Sequence, residues 1–382
     1  MKKWMKAVLY TCSYILVAAL ATMLTLQMTE GESKLEELER VLEEKFVADV
    51  DVAYMEDVAA AAMVASLGDQ WSYYIPAERF QSYMDRKNNA YVGIGVTVIT
   101  REDAVGLDVL KVEQESGAEA AGILPGDIII KAQGQSLANM SVAEAGEYIK
   151  GEPEEMVEIC VLRDGRELTF SVLRQMLKTQ VATGQVLEGN IGYIKIDNFN
   201  EHCAEETLAL VRQFEEEGVR GLIFDVRNNP GGYRSELVEI LDYLLPEGVL
   251  FRSISAAGNE RVDQSDAQCL ELPMVVLVNE ESYSAAEFFA AALSEYEWAT
   301  VVGMPTCGKS YYQNTIKLSD GSAVGLSVGV YYTPNGVNLT EVGGLAPDVT
   351  VEVDEEMFMK IYAGLVEPVD DPQVLAAMEI FS

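Results

Sequence analysis

The chain has 382 residues, 49% hydrophobic and 23% charged, a folded composition with room for roughly two or three domains. Its 62 acidic against 27 basic residues leave a net charge of −35, a field that repels a phosphate backbone and argues against nucleic acid as a partner. The single histidine, His202, excludes a multi-histidine metal site, and the five cysteines lack C-x-x-C spacing, so neither zinc nor a redox pair is indicated. The acidity reads first as a solvated, soluble surface, and it also disfavours acidic peptides as substrates.

Lys2, Lys3 and Lys6 precede an uncharged run, Ala7–Thr29, long enough to cross a bilayer. Lysines before the run and Glu30 and Glu32 after it place residues 1–30 as a single-pass anchor in the cell membrane, with the body outside the cytoplasm. Ala19-Leu20-Ala21 also suits a signal peptidase, in which case the body is secreted. The anchor is the preferred reading, because the apolar run continues to Met28. Residues 31–90 form a helical region. Gly31–Glu56 is acidic with Leu35, Leu38, Val41 and Leu42 at helical spacing, a stripe suited either to the chain's own core or to a partner helix in a homodimer. Asp57–Leu67 continues as a second helix, Gly68-Asp69 breaks it, and a loop leads to a helix starting near Pro76.

From Tyr91 the period becomes that of strands. YVGIGVTVIT, LDVLKVEQ and IIIKAQG read as strands, Ser116–Ala121 and Val142–Lys150 as helices, and VEICVLR with ELTFSVLR as a hairpin around Asp164-Gly165. In order, the Gly93-Ile94-Gly95-Val96 loop, the turn GILPGD (122–127) and the hairpin VLRDG (161–165) make residues 91–175 similar to a PDZ domain. That resemblance implies capture of a C-terminal peptide as an added strand, with backbone amides of Val92, Gly93, Ile94 and Gly95 at its carboxylate. A linker (residues 176–190) follows. Residues 176–352 then alternate buried strands with helices, including IGYIKIDNF, Glu205–Glu217, Arg220–Gly232, Ser235–Leu245 and MVVLVN, which predicts an α/β core. Residues 353–382 form a helical tail, over Phe358–Phe381.

The stretch Ser282–Gln313 supports two chemistries. Gly303–Ser310 matches the phosphate-loop pattern G-x-x-x-x-G-K-[ST], but such a loop needs a helix after it, and YYQNTIKLSDG reads as a strand. Ser284 follows a buried strand and opens the helix AAEFFAAALSEY, where amides and the helix dipole favour developing negative charge. A serine needs a base. His202 sits on a polar stretch that reads as surface, whereas Lys309 lies between apolar and tyrosine-rich segments that would desolvate it into a neutral amine. If a strand follows Lys309, Gln313 shares its face and is placed to hold the amine.

The motifs VNEESYSAAE, CGKSYYQ, LSDGSAVGL, YYTPNG and GLAPD, with DVRNNPGG before them, resemble those of the tail-specific, or C-terminal processing, serine peptidases of family S41. The resemblance runs from about residue 35 to the end. It implies a ClpP/crotonase-like α/β core and a serine endopeptidase that recognises C-terminal tails of extracytoplasmic proteins through its PDZ domain, with no cofactor or metal. By position, the nucleophile falls on Ser284, the base on Lys309 and its orienting glutamine on Gln313, with Gly232 and Ala285 amides as the oxyanion hole. Tyr283, Ala286, Cys307 and Gln70-Trp71 depart from the family pattern around the site without removing a catalytic atom. The runner-up is a non-proteolytic PDZ scaffold that keeps the peptidase core, and a nucleotide-binding protein ranks behind it.

Overall fold

The computed structural model describes residues 13–17, 33–101 and 103–382. The expected membrane segment Ala7–Thr29 lies outside the described residues except for Ser13–Val17, and no helix among the described residues is long and apolar enough to cross a membrane. The chain divides into two compact units, Met1–Gly68 and Asp69–Ser382.

Among the described residues from Ser33 to Gly68, two helices replace the expected long one followed by a second at Asp57. Lys34–Lys45 is capped by Ser33, whose hydroxyl and the Glu36 carboxylate satisfy each other's backbone N–H. The helix stops at Phe46, and Asp51 caps a new one, Val52–Ala65. The stripe Leu35, Leu38, Val41 and Leu42 is exposed, at 37–51% of full accessibility.

The second unit contains four sheets. One is antiparallel, in the order Val96–Thr100, Leu107–Val112, Ile128–Ala132, Met156–Arg163, Arg166–Leu173, with Gln135–Ser136 beside the third strand. Helices Gly117–Ala121 and Val142–Ile149 accompany it, and Ile94, Leu107, Ile129, Ile159 and Val172 fill its core. Each such side chain, fully buried, contributes about 1.5–3 kcal/mol. The GILPGD turn has a physical reason: Asp127 is buried, accepts the Leu124 N–H at 2.9 Å and takes two bonds from Arg163 of the hairpin, at 2.6 and 2.7 Å. The predicted first strand is in fact two, broken at Ile94-Gly95, where Gly95 has φ +82°. Its first piece, Ala90–Gly93, pairs with Gln175–Lys178, so part of the expected linker is a ribbon closing the module.

The central sheet has the order Ala182–Leu187, Ile191–Ile196, Leu222–Asp225, Met274–Val278, Ala299–Gly303, Val349–Thr350. Its first pair is antiparallel and every later one parallel. Met274–Val278 is buried at every position because both faces are covered, as a parallel sheet requires. Phe224, Val276 and Val278 face helices Cys203–Glu217, Arg234–Leu244 and Ala285–Glu295, while Ile223, Val275 and Leu277 meet Val374 and Ala377 of the last helix, Pro372–Ile380. The tail is therefore a layer of the core. It carries the α-helices Glu355–Tyr362 and Pro372–Ile380, with the 3-10 turn Pro368–Asp370 between them.

An antiparallel sheet lies beside this core. Ala323–Tyr332 pairs with Tyr311–Lys317 on one side, and with Tyr73–Ile75 and Gly248–Ser255 on the other, the last continuing to Glu260–Ser265. Tyr73–Ile75 lies in the stretch expected as a loop, and it ties the residues after Gly68 to the C-terminal half of the sequence.

Candidate active site

The parallel strands Leu222–Asp225 and Met274–Val278 are neighbours, so the loops leaving their carboxyl ends meet, the usual place for a site in such a sheet. Asn228 and Asn279 stitch them: the Asn228 N–H donates to Asn279 Oδ1 at 2.9 Å and Asn279 Nδ2 to Asn228 Oδ1 at 2.7 Å. Ser282 Oγ adds a bond to the Val226 carbonyl at 2.7 Å.

Ser284 sits at the turn from the second loop into helix Ala285–Glu295, with φ 58° and ψ −123°. That conformation is costly for a residue with a Cβ and persists only where the surroundings impose it. Here they do. The Ser284 carbonyl accepts the N–H groups of Glu287 and Phe288, and its own N–H donates to Glu287 Oε2 at 2.9 Å. From the other loop, Gly231 (φ +81°) comes so close that a Cβ on it would stand 2.8 Å from Ser284 Cβ and from the Ala285 nitrogen. A Cβ on Gly232 would collide with the Phe199 backbone at 2.1 Å. Gly231 thus lets main chain lie directly against the serine, and Gly232 lets the loop lie against the end of the neighbouring strand at Phe199.

Glu287 organises the site and was not singled out by sequence. It is fully buried, and besides Ser284 it accepts Thr306 Oγ1 and the Gly308 N–H, both at 2.6 Å, and the Lys309 N–H at 2.8 Å. A signal existed: Ser284-x-x-Glu287 is the capping-box spacing. The same bonds close the phosphate-loop reading. In segment 304–310, the N–H groups of Met304, Thr306, Cys307 and Ser310 also donate within the fold, and strand Tyr311–Lys317 follows where a phosphate site needs a helix.

Ser284, Lys309, Gln313 and Gly232 line one groove of about 870 Å³, while Ala285 is buried behind it. Burial pushes the Lys309 ammonium down, Lys87 adds repulsion, and its pKa falls to about 8. Its Nζ lies 4.6 Å from the ring centroid of Trp71 and 5.4 Å from that of Tyr283. Among the described residues this amine makes no hydrogen bond to Ser284 Oγ or Gln313. Gln313 Nε2 instead donates to Ser327 Oγ at 2.9 Å and to the Tyr311 carbonyl at 3.2 Å. The strand pairing shifts register between Tyr312 and Gln313, which stand opposite Gly329 and Ser327, so the unmatched residue is Val328 of the partner strand.

Behind the glycine loop, Arg227 makes two side-chain bonds to Asp225, at 2.6 and 2.9 Å, and reaches Asp371 and Gln373 of the tail at 2.8 Å each. Burial alone would raise the Asp225 carboxyl. Arg227 outweighs it and holds the group below the usual carboxylate range. Tyr193 donates to the same carboxylate at 2.7 Å. The loop is thus fixed from below by charge as well as by packing.

The groove also differs electrostatically from the chain. Lys87, Arg234, Arg261, Lys309 and Lys317 line it against one acid, Glu260. Arg234 and Arg261 both pair with Asp263. The expected bias against acidic peptides therefore does not extend to the groove. His202 caps helix Cys203–Glu217 from a left-handed conformation, with φ 71°, and does not line the groove. In the antiparallel module, Val92 and Gly93 pair with Met176 and Gln175, and the Ile94 and Gly95 carbonyls accept Ala118 and Glu113. Beyond them, strand Val96–Thr100 stands at the end of its sheet, with Leu107–Val112 as its strand neighbour.

Comparison with known proteins identifies both modules. The profile of Peptidase family S41 matches residues 190–351, and that of the PDZ domain residues 91–173. The carboxy-terminal processing protease CtpA of Bacillus subtilis (strain 168) is 30% identical over 331 residues, which is 85% of this chain and 70% of that protein. CtpB of the same organism is 29% identical over 326 residues, or 84% and 67% of the two chains. Among solved structures, a putative S41 protease from Bacteroides fragilis NCTC 9343 shares the fold, with a TM-score of 0.50 and 15% identity over 86% of this chain and 97% of that one.

Proposed function

The chain belongs to peptidase family S41, the carboxy-terminal processing serine proteases, and from that premise we propose that Ser284 is its nucleophile and neutral Lys309 its base. The observation that carries this is the convergence of both side chains on one groove, with Ser284 held in a strained turn at a helix N-terminus. Ser284 Oγ attacks the scissile carbonyl as its proton passes to Lys309 Nζ. The Gly232 and Ala285 amides stabilise the oxyanion. As the C–N bond breaks, Lys309 returns the proton to the leaving amine, and water then hydrolyses the acyl-enzyme by the same exchange. Gln313 leaves Ser327 to orient Lys309 when substrate is bound.

The substrates we infer are proteins outside the cytoplasm, presented by their C-terminal tails. The tail adds to the open edge of Val96–Thr100, with its carboxylate at the Val92–Gly95 turn. The uncharged run Ala7–Thr29 behind three lysines supports membrane anchoring, and the exposed stripe on Lys34–Lys45 supports self-association through that helix. Fractionation and sedimentation of the full chain test these two points, and a soluble monomer would refute both.

For the dyad, the test is cleavage of an unstructured peptide with an apolar C-terminus. Ser284→Ala and Lys309→Ala each abolish it, and His202→Ala leaves it intact. Retained cleavage in either dyad variant overturns the assignment.

A further inference from the structure

Two aromatic side chains that do not line the groove meet at Lys309. Trp71 comes from the segment before strand Tyr73–Ile75. Its N–H donates to Asp69 Oδ1 at 3.1 Å, Ser72 Oγ donates to Asp69 Oδ2, and the Ser327 N–H donates to Ser72 Oγ at 3.0 Å, so the segment is pinned to strand Ala323–Tyr332. Tyr283 immediately precedes Ser284, and its N–H donates to the Asn229 carbonyl at 3.1 Å. The ring centroids are 5.9 Å apart, with the planes inclined at 31°. Lys309 Nζ is within cation–π range of both.

We propose that Trp71 and Tyr283 form an aromatic seat that holds Lys309 as its ammonium, withdrawn from Ser284, and releases it to act as base when the proton is lost. The proposal rests on the reading of Lys309 as the base of Ser284. The physical ground is the asymmetry of the contact. A ring face attracts a cation by about 0.5–2 kcal/mol, and this attraction is lost once the amine is neutral. The neutral amine has a lone pair to offer Ser284 Oγ and no electrostatic reason to remain on the rings. The proton leaves to water.

Glu287 and Asp69 also attract the ammonium through space, but neither pairs with it directly. The Glu287 carboxylate is engaged by four donors from the surrounding loops. Asp69 is occupied by Trp71 and Ser72. Lys87, from helix Ala77–Lys87, repels the ammonium, the Cys307 thiol is raised chiefly by burial, and the Tyr283 phenol is raised for the same reason. The seat opposes the desolvation and the Lys87 repulsion that otherwise drive the proton off. Trp71 and Tyr283 are positioning residues, acting through Lys309.

The test uses the full chain and two readouts. Competitive acetylation of Lys309 with acetic anhydride across pH, read by mass spectrometry in a Ser284→Ala background, gives the amine's midpoint without any need for activity. The acid limb of kcat/KM for peptide cleavage gives the catalytic midpoint in active protein. Trp71→Leu keeps an apolar cover but removes the ring face, and lowers both midpoints by about half to one pH unit. Tyr283→Leu acts in the same direction. Trp71→Phe gives a smaller shift and Tyr283→Phe leaves the midpoint in place, which controls for misfolding. An unmoved midpoint in both leucine variants, or an upward shift, overturns the seat. If the acetylation midpoint moves while the acid limb does not, the seat stands and the reading of Lys309 as base fails.

Discussion

Glu287 and Lys309 stand in the same site and are treated in opposite ways. Glu287 is buried on the rigid helix side and has its oxygens filled by donors from two segments, the Ser284 turn and residues 306–309. Lys309 lends its backbone to that network, but its side chain rests on Trp71 and Tyr283, and Gln313 is bonded to Ser327. The contrast separates two tasks. On the proposed roles, the backbone around Ser284 is preorganised, whereas the side chains of Lys309 and Gln313 still have a move to make. Catalytic power that depends on the first should be lost outright when it is damaged. Catalytic power that depends on the second should be adjustable in both directions.

The largest effect expected from breaking the comparison is at Glu287. Glu287→Ala leaves four buried or half-buried donors without their acceptor, at a cost of about 3–5 kcal/mol of stability, and removes the hold on the Ser284 turn. Thermal denaturation should show a large fall in Tm together with loss of cleavage. A variant of wild-type stability would show that the network does not fix the site. A smaller effect, of opposite sign, is expected at Ser327. Ser327→Ala frees the Gln313 amide from a bond worth about 0.5–1.5 kcal/mol, so kcat/KM should rise roughly two- to tenfold. A fall would mean that the bond to Ser327 belongs to the working arrangement.

Much of this site was legible as motif and little of it as geometry. VNEESYSAAE and CGKSYYQ located the serine and lysine, and the strand character of YYQNTIK disposed of the phosphate loop before any coordinates. The buried strand MVVLV and the order of PDZ turns were equally plain, because hydrophobic period and turn chemistry are local. What escaped was set by partners distant in sequence. Tyr73–Ile75 is a strand because Ala323–Gly325 lies beside it, and nothing in WSYYIP announces that neighbour. The extra residue Val328 opposite Tyr312 and Gln313 is likewise set by the partner strand and leaves no mark in YYQNTIK. Trp71 departs from the family pattern in the sequence, but only the fold brings it to Lys309.

The most direct test of the central assignment needs no substrate. A fluorophosphonate that reacts with activated serines should label Ser284, at a rate rising as pH passes through about 8, where Lys309 becomes neutral. Labelling should vanish in Lys309→Ala. A rate that ignores pH across that range, or one that survives Lys309→Ala, would contradict a Ser284–Lys309 dyad.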